Sequence, residues 1–563
     1  MRKFFISAAF LTAFTFGFSQ ETSDKQNKDL ETWYHKDFAT TKVYGVNTEK
    51  AYKFLESKGL KPLKPQTVIV GVLDSGVEVD HPGLIKNMWV NTKEIPGNGI
   101  DDDGNGYVDD IHGWNFQGGK NGDVDVDTQE VTRVIQKYKP LFEGADSVAN
   151  KANQAKMPAE FDLYMKSKDI YTAKNGEAQQ YYVFYMELKN RIPAIVGLLG
   201  GKALTPENVK AIVPKDGLEA NYVSILDNMT KDGDLAGKSG SDLQKVFSEQ
   251  IEEGIKHYKV QATKQFNLDY DPRSIVGDNY NDINETKYGN NHYEGPDAEH
   301  GTHVSGIIAG LPNGKEVQYG VASRVAKIMT VRAVPDGDER DKDVANAIRY
   351  AVDNGAKVLN MSFGKPVSPG KDNVWEAFKY AQDKGVLLVK AAGNENEDIS
   401  EHVAYPTNFK DPADEKPFVN NVIVVGASTN DNSKLRASFS NYNQKMVDIF
   451  APGEKIYSTV PDGKYKYLQG TSMASPVVAG AAAVLLAYMP TLTPAQIIEA
   501  IVKTANKSTA DAGIEGRKVN NTFNYMSRSG GVMDLYKAAE YAYNNFYTSG
   551  KKLPVKSKTK VKK

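Results

Sequence analysis

The 563-residue chain contains no cysteine, and that single absence excludes a good deal. No disulfide staples the fold, no thiol serves as nucleophile, and no lipid-modified cysteine anchors the chain. Stability must rest on packing, with bound metal as the remaining cross-link. An excess of one charge is also missing. There are 69 basic and 71 acidic residues, a formal net charge of −2, so no global field points to nucleic acid. The basic end "KKLPVKSKTKVKK" reads as a solvated tail. The N-terminus lacks an apolar run long enough to cross a membrane: "MRKFFISAAFLTAFTFGFSQ" holds only about fifteen apolar residues against the ~20 a spanning helix needs. With Arg2 and Lys3 ahead of it and Gly17 and Ser19 behind, it reads as an export signal over 1–19, not an anchor, and predicts a periplasmic or extracellular protein.

What the chain does contain is a series of short, continuous apolar runs. "TVIVGVLD" at 67–74 is β-branched and ends in an acid, the pattern of a strand buried on both faces. "AKIMTVRAV", "AKVLNMSF", "VLLVKAAG" and "NVIVVGAS" repeat it, and helical patterns such as "DVANAIRYAVDNG" and "VWEAFKYAQDKG" lie between them. Strand alternating with helix predicts an α/β fold, a mostly parallel central sheet with helices on both faces. Residues 20–65 form a lead-in with a short helix around "TEKAYKFLES". Residues 128–266 are rich in lysine and glutamate and helical in period ("VTRVIQKYKPLF", "EAQQYYVFYMELKNRI", "SDLQKVFSEQIEEGIKHYKVQ"), and read as a helical insertion between core parts at 66–127 and 267–545, with 546–563 as the tail. The insertion's tyrosines, at helical spacing, read as core.

In such sheets functional groups gather beyond the carboxyl ends of the strands. Three candidates fit. Asp74 ends the first run, in "VLDSGV"; alone it reads as a structural acid. His300 stands in "DAEHGTHVSGIIAG", where Gly301 and Gly306 permit a sharp turn or close packing. Ser472 stands in "GTSMASP", ahead of the apolar helix "VVAGAAAVLLAYM". The serine alone would serve as an N-cap worth roughly 1 kcal/mol, and His300 with His303 offers an i, i+3 pair for a metal. Taken together, the three point to acyl transfer. A serine hydroxyl needs an imidazole to take its proton, and the imidazole needs a carboxylate to fix its tautomer. Asn394 in "KAAGNEN" offers a side-chain donor for the oxyanion, with the Ser472 N–H as its partner.

"VIVGVLDSGVEVDHP", "HGTHVSGIIAG", "LNMSFG", "AAGNE", "RASFSNY" and "DIFAPGEKIYSTVPDGKYKYLQGTSMASPVVAGAAA" together resemble the successive signatures of the subtilisin-like serine proteases, the subtilase family. The chain order Asp, His, Ser is that family's order. The resemblance covers about 30–115 and 270–540 and omits the insertion. It implies a three-layer subtilisin-like fold and a serine endopeptidase needing no cofactor for catalysis, with Asp74 the orienting acid, His300 the general base and acid, Ser472 the nucleophile and Asn394 the oxyanion donor. It also implies that a polypeptide substrate pairs as a strand with "VRAVPDG" on one side and "NMSFG" on the other. The primary pocket would be lined by Ser362, Phe363, Gly364, Ala391, Ala392 and Gly393, with Ala404 near its base. With no acid at that base, large apolar or aromatic side chains are expected there, Glu395 at the rim admitting a basic one.

The segment "NGIDDDGNGYVDDIHGW" carries a second signal. Asp101, Asp103, Asn105, the Tyr107 carbonyl and Asp109 follow the first nine positions of a calcium loop, although His112 replaces the closing Glu. Structural Ca²⁺ is the expected occupant, a solvated acidic turn the alternative. Two departures from the family stand out: Gly83 occupies a place that often holds a calcium-binding acid, and the lead-in is short for an inhibitory propeptide. Asp74 and His300 are separated by 226 positions, most of the excess being the insertion, which reads as a lid, a surface for a partner protein or a stabilising appendage. The rival readings are a metal-dependent hydrolase using His300 and His303, and a binding scaffold that retains the core.

Overall fold

The computed structural model describes residues 29–62, 68–231, 235–312 and 319–547. The expected export signal, and the tail beyond residue 547, lie outside these. The described residues divide into two compact units, one of residues within 131–270 and one of residues within 29–130 and 271–547.

The larger unit is built on a nine-stranded sheet. In chain order the strands are β1 (Val68–Asp74), β2 (Gly113–Asn115), the small hairpin β3 and β4 (Gly118–Gly119, Gly122–Asp123), β5 (Ala326–Arg332), β6 (Val358–Met361), β7 (Leu387–Ala391), β8 (Val422–Ser428), β9 (Ile449–Pro452), a second hairpin β10 and β11 (Ile456–Val460, Lys464–Leu468), β12 (Asn506–Lys507) and β13 (Gly531–Val532). Both hairpins stand apart from the sheet, whose lateral order is β12-β13-β9-β8-β7-β6-β1-β5-β2. Every pairing in it is parallel except β12 with β13. All five apolar runs singled out in the sequence lie in its central strands.

The period-2 rule for strands explains why these runs are apolar throughout. Val68, Val70 and Val72 of β1, Leu387 and Val389 of β7, and Ile423 and Val425 of β8 face one core layer. Leu73, Leu388, Val422 and Val424 face the other. The first layer receives two central helices, Glu299–Ala309 (the histidine helix) and Thr471–Tyr488 (the serine helix), together with the lead-in helix Thr48–Ser57. The second receives Asp341–Asp353 and Lys371–Asp383. The result is the expected three-layer α/β architecture. The serine helix is long and apolar enough to cross a membrane by composition, but 94% of it is buried in this core.

The smaller unit has its own core. Leu188, Ile192 and Ile195 of the helix Pro158–Gly197 meet Leu243, Phe247, Ile251 and Ile255 of Gly240–Val260. The i, i+4 spacing makes an apolar stripe on each helix, and Tyr258 stacks on Tyr181 with ring centroids 4.9 Å apart.

Candidate active site

Asp74 is the last residue of β1 and is buried. Its carboxylate oxygen Oδ1 accepts from the Ser75 N–H at 2.8 Å and from His300 Nδ1 at 2.6 Å. Its other oxygen is buried without a hydrogen-bond partner among the described residues. A carboxylate only accepts, so the His300 proton sits on Nδ1 and the lone pair on Nε2, the tautomer a general base requires. Burial pulls the imidazole pKa down, but the charge and hydrogen bond of Asp74 outweigh it and the pKa stands above its ordinary 6.5. The His300 side chain remains 39% exposed and so open to a reactant.

Glycine makes that pairing possible. A Cβ on Gly301 would stand 2.1 Å from the Gly76 carbonyl oxygen and 3.2 Å from the Asp74 Cβ, so any other residue would push the histidine helix off β1. At Gly306 a Cβ would meet the hydroxyls of Thr459 and Ser458 at 2.2 and 2.3 Å. Those hydroxyls donate to the carbonyls of Thr302 and His303, both at 2.8 Å, strapping the helix to β10. Of the two uses the sequence allowed these glycines, close packing is the one observed.

Ser472 is not an N-cap. Gly470 holds that position, and Ser472 is the second residue of the helix. The Ser472 hydroxyl donates to the Ser362 carbonyl at 3.1 Å, while the Ser362 hydroxyl donates to the Ser472 carbonyl at 2.9 Å. The second bond has its origin in the sequence. A helical carbonyl normally receives the N–H four residues on, but position 476 is proline and has none. The freed Ser472 carbonyl thus takes the Ser362 hydroxyl, which is itself held by Asn360 Nδ2 at 2.9 Å, and Asn360 Oδ1 accepts from Ser475 at 2.9 Å. Ser362 directly follows β6, the strand next to β1, and neighbouring strands lie about 4.8 Å apart. The serine and histidine supports therefore share one rim of the sheet. Ser472 makes no hydrogen bond to His300 here; such bonds commonly tighten only when substrate is bound.

Asn394 lies three residues past β7 on the same rim. Its Oδ1 accepts from both the N–H and the hydroxyl of Thr471, at 2.8 and 2.9 Å. Two donors on one atom fix the orientation of the amide and leave Nδ2 without a protein partner among the described residues. The Thr471 hydroxyl accepts in turn from the Gly393 N–H at 3.1 Å. Ala391 and Ala392 are buried, and Phe363 and Ala404 pack half-buried against the second core layer. Tyr405, next to Ala404, exchanges backbone hydrogen bonds with Lys365 at 2.8 and 3.0 Å, which joins the two sides of the expected pocket.

His303 does not join His300. Its Nε2 faces the carbonyls of Ile456 and Lys466 at 3.1 and 3.0 Å, so that nitrogen carries the proton and has no lone pair to offer a metal. Burial lowers its pKa to about 3, which keeps the ring neutral. The i, i+3 pair is thus split between the triad-like contact and a structural strap.

In the acidic loop, carboxylate oxygens of Asp101, Asp103 and Glu94 lie within 4.8 Å of one another. Glu94 stands ahead of the calcium-loop pattern and was not legible from it. Asp109 accepts from the Gly97 and Gly99 N–H groups at 2.8 and 2.9 Å, and Asn105 Oδ1 from the Tyr107 N–H at 2.8 Å. The Tyr107 ring packs edge-on against Trp114 and Tyr350. At Gly83 a Cβ would come within 2.7 Å of the Tyr465 hydroxyl, so an acid there would displace the tyrosine.

The sequence can be compared with those of known proteins. The subtilase family, peptidase S8, matches residues 66–525. Subtilisin DY of Bacillus licheniformis is 38% identical over 207 residues, 37% of this chain and 70% of that protein. Thermitase of Thermoactinomyces vulgaris is 35% identical over 243 residues, 43% of this chain and 75% of that protein. Subtilisin E of Bacillus subtilis (strain 168) is 38% identical over 210 residues, 37% of this chain and about half, 51%, of that protein.

Proposed function

The chain belongs to the subtilase family and is a serine-type endopeptidase, and on that premise we propose that Asp74, His300, Ser472 and Asn394 carry its chemistry. The observation that bears most weight is the 2.6 Å contact of His300 Nδ1 with buried Asp74, beside a serine held by the neighbouring strand. The Ser472 oxygen attacks the scissile carbonyl as His300 Nε2 takes its proton. Asp74 keeps the imidazole in register and stabilises its cation. The proton then passes to the leaving amine, and water releases the acyl group by the same route. Asn394 Nδ2 and the Ser472 N–H, in the first turn where helical N–H groups lack acceptors, serve the oxyanion. A substrate strand pairing with 362–364 takes the Ser362 carbonyl as acceptor and so releases the Ser472 hydroxyl toward His300.

The finer parts of the reading rest on sequence. Export follows from residues 1–19. A structural calcium ion fits the hard oxygen donors of Glu94, Asp101 and Asp103, with Asn105, Asp109 and the Tyr107 carbonyl as the further ligands the sequence pattern suggests; its contribution would be to neutralise crowded charge, and catalysis needs no cofactor. The insertion over 128–266 is read as a lid, a surface for a partner protein or a stabilising appendage.

Labelling of the purified protein with a fluorophosphonate tests the assignment, with the adduct mapped by mass spectrometry and casein digestion measured beside a Ser472→Ala control. A single adduct on Ser472 with digestion lost in the control is expected. Digestion that survives Ser472→Ala would overturn it.

A further inference from the structure

We propose that Lys390 reads the substrate residue that supplies the scissile carbonyl and selects aspartyl and glutamyl side chains there, an inference that rests on the peptidase reading above. Lys390 interrupts the apolar run of β7. It lies two positions from Leu388 and thus on the same face of the sheet. Only 2% of it is exposed.

Its partners set it apart from the neighbouring buried lysine. Lys365 Nζ meets Glu130 at 2.6 Å, Asp341 at 2.8 Å and the Glu339 carbonyl at 2.7 Å. Among the described residues Lys390 Nζ makes one hydrogen bond, to the carbonyl of Ala391 at 2.9 Å. Among the described residues no carboxylate lies within ion-pairing distance of it. Glu339 and Glu395 act on it only through their fields, and the Glu395 carboxylate is engaged by Asn441 at 2.6 Å. An ammonium has three donors, so two are left inside the protein. Burial brings its pKa down to about 8, and the ammonium form persists at neutral pH.

Its position connects those donors to the rim. Nζ lies 3.9 Å from the point a Cβ would occupy on Gly364, an exposed residue, and the Tyr405 carbonyl lies 3.0 Å from the same point. Gly364 carries no side chain beside the ammonium, and in this proposal the substrate side chain reaches it between 362–364 and 391–393. A carboxylate entering there gains a charge-assisted hydrogen bond in a dry site. An apolar side chain leaves the buried donors unmet, and sites built around a polar partner reject analogues that lack it. The sequence alone, with no acid at the pocket base, gives the contrary expectation of a large apolar or aromatic side chain.

The test is a library of internally quenched peptides varied at the residue that supplies the scissile carbonyl, run on the wild-type enzyme, Lys390→Met and Lys390→Arg. The wild type is expected to favour Glu and Asp over Phe and Leu. In Lys390→Met the ratio of kcat/KM for Glu over Phe should fall at least ~10-fold, with Lys390→Arg retaining acidic preference. A wild-type preference for apolar residues overturns the inference, and this arm decides even if the methionine variant fails to fold. An unchanged profile in a folded Lys390→Met protein also overturns it and leaves Lys390 as a core charge. Cleavage of no peptide at all would remove the peptidase reading, and this inference with it.

Discussion

Ser362 and Ser472 are tied to each other twice, each hydroxyl donating to the other's backbone carbonyl. Pro476 is what makes the arrangement necessary, since it withholds the N–H that would otherwise satisfy Ser472. Ser362→Ala should therefore leave a carbonyl unmet, at a cost of about 1–3 kcal/mol in stability, and lower kcat by loosening the nucleophile. Adding Pro476→Ala restores a helical donor and should recover part of the stability. Thermal melts of the single and double variants check this; an additive loss in the double variant would show that the carbonyl is satisfied some other way.

Asn394→Ala removes the proposed oxyanion donor and should cost ~10²–10³ in kcat with KM little changed. Thr471→Val deletes one of the two donors that orient the amide and is expected to cost less, about tenfold. Steady-state kinetics on one peptide separate the two. Equal losses would place the control of the oxyanion elsewhere.

His300 must be neutral to accept the serine proton. Because Asp74 outweighs burial and holds its pKa above 6.5, kcat/KM should rise with pH through a midpoint above that value. Asp74→Asn removes the raising influence, so the midpoint should move to lower pH while turnover drops by about 10⁴. A pH–rate profile of both proteins gives the answer. A flat wild-type profile from about pH 5 to 9 would exclude His300 as the base.

The acidic loop predicts a calcium effect on stability rather than on chemistry. A ligand that binds only the folded state adds about 2.7 kcal/mol at a hundred times its Kd. EDTA should thus lower Tm, calcium should restore it, and Asp101→Asn with Asp103→Asn should abolish the difference. Calorimetry with and without chelator measures it, and an unchanged wild-type melt returns the loop to a solvated turn.

Much of the fold was legible because a parallel sheet covered on both faces demands apolar strands, as β1 and β8 display. The candidate acid, base and nucleophile were legible through their local signatures. What supports them was less so. Asn360 and Ser475 look like minor polar interruptions until β6 and the serine helix are brought together, and the role of Thr471 depends on which atom of Asn394 it meets. Glu94 escaped because a turn, not a motif, brings it to Asp101 and Asp103. Lys390 was visible all along as a charge in a strand with no wet face, yet its meaning depends on Gly364, 26 positions earlier in the chain.

The place of β1 inside the sheet, between β6 and β5, also bears on how the protein is made. Its neighbours are β5 and β6, and Val68 pairs with Ala326, 258 residues later. At about 5–20 residues per second, translation leaves β1 with both edges bare for some 12–50 s after it emerges. Residues 131–270, with a core of their own, are complete before either partner strand exists. The first strand of this enzyme thus waits for its neighbours as an aggregation-prone apolar segment, and its yield in a cell depends on what shields that segment in the interval.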